Sequence, residues 1–391
     1  MMSPPSLASL LAEEWRTVRY DPWLFSLISW LPPLLFLLMW AILSAGIIRE
    51  LPIGMCDLDK SNMSRSLTRH YQASPTLQIR RDFTDPHTGT AALRAGEIYA
   101  LIVLPADLEK DTVSGRPPQI TAFVNTQFLV IGKVINSSLM QAHSTFAATI
   151  EMGKNLLGGA QLLEIALIEA VPARTQVTPL FNSNSNYAQF LVSAILPAVW
   201  QILMVVATIL SLAAEKRRKP DISSPLGLFP VHTLLTKLGF LSLIFWLHGL
   251  FFLLLMYVHL GWPMHGSWVF LMIAQFITVC AGIAVASMLY FLTMDGGRAL
   301  SFAAAYTAPA LAFMGVTFPV SDMTLPARIW RSFIPISHYA EIQFGQVNYG
   351  APPASAIPQL VFLCLFLPAL LFSIYRVKRS STETADGQRT I

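Results

Sequence analysis

Trp23–Ile48 reads WLFSLISWLPPLLFLLMWAILSAGII. A helix needs about 20 apolar residues to cross the roughly 30 Å hydrocarbon core of a bilayer, and this run has about 26. A largely polar stretch follows to about Asn186, and then five more apolar blocks at roughly 187–213, 233–257, 268–293, 300–320 and 357–376. The spacing predicts a polytopic α-helical membrane protein with six transmembrane helices. An α/β extracytoplasmic domain is inserted between helices one and two.

A secretory signal has an apolar region of about 7–15 residues preceded by a basic stretch. Asp21 and Pro22 precede the first block, and the block is far longer, so it reads as a retained span. Composition agrees. The chain of 391 residues is 54% hydrophobic and only 12% charged, with a mean hydropathy of +0.55. Soluble domains carry about 25% charged residues, so an ordinary soluble domain is excluded. The net charge of +4 is small and calls for no nucleic-acid partner. Cys56, Cys280 and Cys364 have no metal-ligand spacing, and Cys56 is alone in the polar segment, which excludes a disulfide there.

Lys and Arg near span ends set orientation. Cations crowd Glu215-Lys216-Arg217-Arg218-Lys219, the tail with Arg376, Lys378, Arg379 and Arg389, the N-terminal arm with Arg16 and Arg19, and the 294–299 loop with Arg298. The loop 258–267 has none, and 321–356 has only Arg328 and Arg331. The alternation predicts six spans with both termini in the cytoplasm and 49–186 outside. Before the first span, Leu7, Leu10, Leu11, Trp15 and Val18 recur at spacings of three and four. That stripe predicts an amphipathic helix over 1–22, lying in the cytoplasmic interface.

Within 49–186, the runs 52–57, 77–83, 98–104 and 119–125 predict strands, and 64–73, 88–96 and 106–114 predict helices. A long helix is expected over about 127–170 and one more strand over 174–180. The carboxylate pairs Asp57 with Asp59, and Asp82 with Asp85, read as solvated turns and strand ends rather than as catalytic pairs. No stretch reads G-x-x-x-x-G-K-[ST]; Gly153-Lys154 comes nearest, so no phosphate cradle is expected. G-x-S-x-G and H-E-x-x-H are absent too. Few ionisable residues sit inside the spans, and His248 is the main candidate for a relay, read as an interhelical hydrogen bond. A pump with neither an energy site nor a proton relay needs an outside motor.

Several stretches resemble the ABC-2-type permeases of bacterial ATP-driven exporters, above all the long members with a large periplasmic domain after the first span. Asp57-Leu58-Asp59-Lys60-Ser61 with Ser64-Arg65 and Leu67 resembles that domain's D-x-D-x-S-x-x-S-R opening. Leu93–Ala100 with Ile102 and Pro105 resembles its helix-to-strand segment. Asn184-Ser185-Asn186-Tyr187 with Phe190 and Leu191 resembles the N-x-N-Y start of the second span. Gly315, Phe318 and Pro319, then Pro335-Ile336-Ser337-His338-Tyr339, resemble the end of the fifth span and the hairpin after it. Where the family has an E-R-E-x-G-T run, this chain reads Glu215-Lys216-Arg217-Arg218-Lys219-Pro220.

The resemblance implies the transmembrane subunit of an ATP-binding cassette exporter in the bacterial inner membrane. It implies no catalytic residue, metal or cofactor on this chain, with ATP and Mg on a partner ATPase. The partners implied are an ATP-binding subunit, a second permease copy or paralogue, membrane lipids and, by analogy, a periplasmic adaptor. Trp15, Arg16, Glu215, Lys216, Arg217 and Arg218 would couple to the ATPase, the last four on a cytoplasmic loop at 214–232. Asn186, Tyr187, Phe318, Pro319, His338 and Tyr339 would lie along the substrate path or exit, with an external re-entrant hairpin at 321–356 and a cytoplasmic tail at 377–391. Ala303, Ala304, Ala305, Ala308 and Ala310 would allow close helix approach, and an apolar lining would suit an amphiphilic or lipophilic cargo. The alternative is a membrane-anchored sensor or scaffold whose external domain binds a ligand or partner, although six spans exceed what an anchor needs. A membrane-embedded enzyme would have to use the isolated His232, His259, His265 and Asp295.

Overall fold

The computed structural model of the protein describes residues 5–44, 49–157, 186–218, 226, 229–316 and 318–387. The chain divides into two compact units, Met1–Gly46 with Pro179–Ile391, and Ile47–Thr178. The strand expected over 174–180, the expected helix beyond 157, and 219–225 with 227–228 of the 214–232 loop lie outside the described residues.

The smaller unit has a four-stranded sheet of β1 (Leu51–Asp57), β2 (Leu77–Asp82), β3 (Ala100–Leu104) and β4 (Thr121–Val124), in the order β2-β1-β3-β4. β1 pairs parallel with β2 and β3, and β3 pairs antiparallel with β4. The helices α4 (Asn62–Gln72) and α5 (Pro86–Arg94) make the two crossovers that parallel pairing requires. All four strands fall where the hydrophobic runs predict them, with every end within two residues of the expected one. Alternation along the strands divides the core. Ile53, Met55, Ile102 and Leu104 pack with Leu67 and Tyr71 of α4 and with Ile135, Leu139 and Phe146 of a long helix, Leu129–Leu157. Cys56 and Leu101 face Ala92 of α5 and Ile98 on the opposite side. Gly54 is fixed by crowding, since a Cβ there would lie 2.6 Å from the Phe83 ring.

The larger unit begins with α1 (Leu7–Tyr20), α2 (Pro22–Ile28) and α3 (Leu31–Leu43). The axes of α2 and α3 differ by 54°. Pro32 and Pro33 explain the break: they suit the first turn of α3, but without N–H groups they leave the carbonyls of Ile28 and Ser29 without helical donors. His248 faces the backbone of Ser29. Further along, Phe36 stacks on Phe252 with ring centroids 5.7 Å apart.

Four helical stretches are long and apolar enough to cross a bilayer among the described residues: Tyr187–Glu215, Pro230–His259, Trp268–Thr293 and Pro353–Arg379. The bent α2–α3 pair makes a fifth if counted as one broken span. The expected span at 300–320 is not one continuous helix. A helix covers Gly296–Thr307, Pro309 stops it, and a single turn resumes at Ala310–Phe313. Of the five alanines expected to allow close approach there, Ala303 and Ala310 are buried, while Ala304, Ala305 and Ala308 are exposed.

Trp268–Thr293 is the axis of this unit, buried along Ala274, Ala281, Gly282, Ala284 and Ala286. Small residues let neighbouring backbones come close. A Cβ at Gly282 would meet Met204 Sδ at 2.7 Å, and one at Gly249 would meet the Gln275 amide at 2.5 Å. The expected hairpin at 321–356 contains short helices at Leu325–Ser332 and Pro335–Val347. The second of these is deeply buried and is tied down by side-chain amides. Gln201 Oε1 accepts from Ile336 N at 3.0 Å, and Gln343 Nε2 donates to Ser193 O at 3.1 Å.

Candidate functional site

α1 starts where the Ser6 hydroxyl caps Ser9 N–H at 3.2 Å. Its buried face is Leu10, Glu14, Thr17 and Val18. The expected apolar stripe is therefore divided. Leu10 and Val18 face protein, while Leu7, Leu11 and Trp15 remain exposed on another face. What the periodicity did not announce is an acid on the buried face.

Glu14 Oε2 lies 2.7 Å from Lys237 Nζ, which also donates to Ser211 Oγ at 3.3 Å. Glu215 Oε2 is 3.7 Å from the same ammonium. None of the three charged side chains is more than 4% exposed. An ammonium withdrawn from water costs several kcal/mol unless it is paired and hydrogen-bonded, and here two carboxylates and a hydroxyl surround it. Burial pushes the Glu14 carboxyl above the usual carboxylate range; Lys237 pulls it back, and Glu215 and Glu13 raise it further. Three elements meet at this point: α1, the last turns of the helix Tyr187–Arg218 (α8 below), and the second turn of Pro230–Leu254.

A second contact lies beside it. Asp21 closes α1 and opens α2, with Oδ1 accepting from the N–H groups of Trp23 and Leu24, each at 3.1 Å. Its Oδ2 accepts from Arg217 Nη2 at 2.9 Å. The elbow between α1 and α2 is thus fixed to the end of α8 by one carboxylate.

The residues expected to meet the ATPase are placed as follows. Trp15 and Arg16 are exposed on α1. Arg217 is about half exposed and bonded to Asp21. Glu215 is buried against Lys237. The side chains of Lys216 and Arg218 lie outside the described residues.

The expected path residues are not gathered at one opening. Asn186 caps α8, accepting from Gln189 N at 3.1 Å, and Tyr187 begins that helix half-buried. Phe318 and Pro319 are exposed. His338 is buried, stacked on Phe362 at 5.0 Å, with Nδ1 2.6 Å from Gln359 Oε1 and Nε2 3.1 Å from Ser332 O. The Tyr339 hydroxyl accepts from Gln275 Nε2 at 3.2 Å, and its ring lies against Trp200. Both aromatics hold Pro335–Val347 in the helical core.

In the carboxylate pairs of the smaller unit, Asp57, Asp59 and Asp85 have structural partners. Asp57 accepts from the N–H groups of Asp59 and Lys60 and from the Ser64 hydroxyl, and Asp59 accepts from Glu109 N–H. Asp85 caps α5, and Asp295 caps Gly296–Thr307. His265 contacts Val347 O, and His232 packs edge-on to Phe229. Among the described residues no group of His, Cys, Asp and Glu is arranged to hold a metal ion.

Sequence reasoning missed Lys237. One signal was available: a lone cation inside the apolar block 233–257 is costly and marks a partner elsewhere. His248 lies in the same block. Its packing against Phe245 and Phe252 and its position facing Ser29 make it an interhelical contact.

Comparison with known proteins adds one result. The sequence profile of a family described as ABC-2 family transporter protein matches residues 22–375. No curated protein and no solved structure matches the chain.

Proposed function

This chain belongs to the ABC-2 transporter family, and we propose that it is the permease subunit of an ATP-binding cassette exporter driven by a separate ATPase. It is a multi-pass membrane protein of a family of transport subunits that generally lack an ATPase site of their own. The finer reading is that the chain exports an amphiphilic or lipophilic substrate from the cytoplasm or inner leaflet of a bacterial inner membrane. Both termini lie in the cytoplasm and the smaller unit lies in the periplasm. A second copy or paralogue completes the pathway, and a periplasmic adaptor docks outside.

One observation carries this reading: the buried bridge from Lys237 to Glu14 and Glu215. It locks an amphipathic surface helix to both helices that flank the 219–228 segment. Separating the charges would strand each in a dry site, at several kcal/mol. A push on α1, or on that segment, therefore moves the three elements together and reaches the α1–α2 elbow through Asp21 and Arg217. The exposed Trp15 and Arg16 form the outer face of this block and are the contact surface for the motor, with Arg217 at its edge. Glu215 acts inside the block.

The test has two parts. A tagged chain solubilised in mild detergent should bring down an ATP-binding subunit. Replacing Trp15 and Arg16 with Ala should then lower transport-coupled ATP turnover by at least about tenfold, roughly two lost contacts of a kcal/mol each, while membrane insertion persists. Purified chain that hydrolyses ATP alone, or undiminished coupling in the double variant, would overturn the reading.

A further inference from the structure

Beside the Asp21–Arg217 pair a cavity of about 1160 Å³ opens between the α1–α2 elbow and α8. It is larger than the roughly 300–1,000 Å³ of sites for drug-sized molecules. Its lining changes character along its length. One end holds Asp21 and Arg217, flanked by Tyr20 and Trp23; the rest is mostly apolar, including Leu27, Leu31, Val206 and Leu210, with the hydroxyls of Thr17 and Ser26 bonded to backbone carbonyls. From Arg217 to Val206 the helix runs about 16 Å at 1.5 Å per residue. Half of a hydrocarbon core of roughly 30 Å is about 15 Å. The cavity is thus one leaflet deep.

The charged end lies at headgroup level. Arg217 follows the apolar span Tyr187–Glu215, and Asp21 immediately precedes the broken span of α2 and α3. Tyr20 and Trp23 are 78% and 77% exposed, and such aromatics gather where a bilayer meets water.

We propose that this groove holds one phospholipid with a zwitterionic, primary-ammonium headgroup as a resident ligand. The argument is charge complementarity. A carboxylate has about four acceptor sites, and Asp21 commits three of them to Trp23, Leu24 and Arg217. The fourth accepts an ammonium N–H. Arg217 donates one of its five N–H groups to Asp21 and is about half exposed, so its remaining donors suit a phosphate. An antiparallel zwitterion satisfies both charges. An anionic lipid sets its phosphate on Arg217 equally well but brings no ammonium to the remaining acceptor site of Asp21, and a quaternary ammonium has no N–H to donate. The acyl chains lie along Leu27, Leu31, Val206 and Leu210. Such a lipid would wedge the elbow against α8 whatever the exported cargo is.

The test uses the full chain in nanodiscs of equal parts phosphatidylethanolamine, phosphatidylcholine and phosphatidylglycerol. Lipid retained after detergent extraction is counted by native mass spectrometry. The wild type should keep one phosphatidylethanolamine, enriched about tenfold over the other two, the discrimination that one charge-assisted hydrogen bond supplies. Asp21→Asn keeps an N-cap but loses the charge, and its preference should fall to the nanodisc ratio. Leu210→Trp fills the apolar end and should lose the retained lipid while melting normally in lipid-free detergent. If Asp21→Asn does not insert, Arg217→Gln reads the same headgroup. Equal retention of the three lipids, a preference for phosphatidylglycerol, or an unchanged lipid count in Leu210→Trp would overturn the proposal. Because the readout is bound lipid, failure here leaves the permease reading intact, and failure of that reading leaves this test valid.

Discussion

Lys237 Nζ lies 2.7 Å from Glu14 Oε2, although the two residues are 223 positions apart, and both side chains are buried. The bond joins α1 to Pro230–Leu254, which lies in a stretch long and apolar enough to cross a bilayer. Glu215 completes the group from a third element. Several measurable consequences come from this arrangement and from the packing around it.

Removing the cation alone should be costly. Lys237→Met leaves Glu14 and Glu215 buried without their counter-charge, and breaking a buried pair costs about 3–5 kcal/mol. The variant should melt well below wild type in detergent, and α1 should become accessible to thiol labelling at Thr17→Cys. The triple variant Glu14→Leu, Lys237→Met, Glu215→Leu should recover most of the loss, because an apolar replacement of similar volume is often neutral or stabilising. A single variant that melts like wild type would show that α1 is held by other contacts.

The same group sets a pH dependence. Burial raises the folded-state affinity of Glu14 for its proton above that of an ordinary glutamate, whose pKa is 4.5. A carboxyl shifted upward favours folding when protonated. Its contribution is fully present below the unfolded value and is lost as pH rises through the folded one. The melting temperature should therefore fall as pH rises from about 4.5 toward the raised value. Glu14→Gln should flatten that slope and match wild type at the acid end. A slope that persists in Glu14→Gln would assign the dependence to another group.

Helix approach gives a third measurement. A Cβ at Gly249 would sit 2.5 Å from the Gln275 amide, which donates to the Tyr339 hydroxyl. Gly249→Ala should displace that amide, strand a buried hydroxyl and cost about 1–3 kcal/mol. In a double-mutant cycle with Gln275→Ala the two losses should be clearly less than additive, since both remove the same bond. Additive losses would show that Gly249 matters for another reason.

In the smaller unit, Asp57 holds the turn between β1 and α4 through two backbone N–H groups and the Ser64 hydroxyl. Asp57→Ala should cost about 1–3 kcal/mol. It should also speed hydrogen exchange at Asp59, Lys60 and Ser64 while leaving the amides of β3 protected. Acceleration spread evenly through the sheet would mean that the turn and sheet open as one unit.

Much of the local structure was legible. The strands at Leu51–Asp57 and Ala100–Leu104 follow from short apolar runs bounded by turn residues, and the long apolar helices follow from run length. The break at Ser29–Trp30 was legible in principle, because Pro32 and Pro33 stand in the sequence, but length and apolarity alone pass over it. The 300–320 block fails as a continuous helix for the same kind of reason, with Pro309 interrupting an otherwise apolar stretch. The site was harder to read. Glu215 stands in a cationic run that looks solvated, yet it faces inward. His338 and Tyr339 look like exit residues, yet Gln359, Ser332 and Gln275 bond them inside the core.

By itself, the sequence determined which segments prefer hydrocarbon to water, which short apolar runs form strands, and the family to which the chain belongs. Each of these is a property of one continuous stretch or of motifs in order. Only the tertiary structure decided that Glu14, Glu215 and Lys237 share one dry site, and that Asp21 reaches Arg217. The physical reason is that a charge's energy depends on what surrounds it in space. Here the partners come from helices far apart along the chain, and no local periodicity records which of their faces will meet.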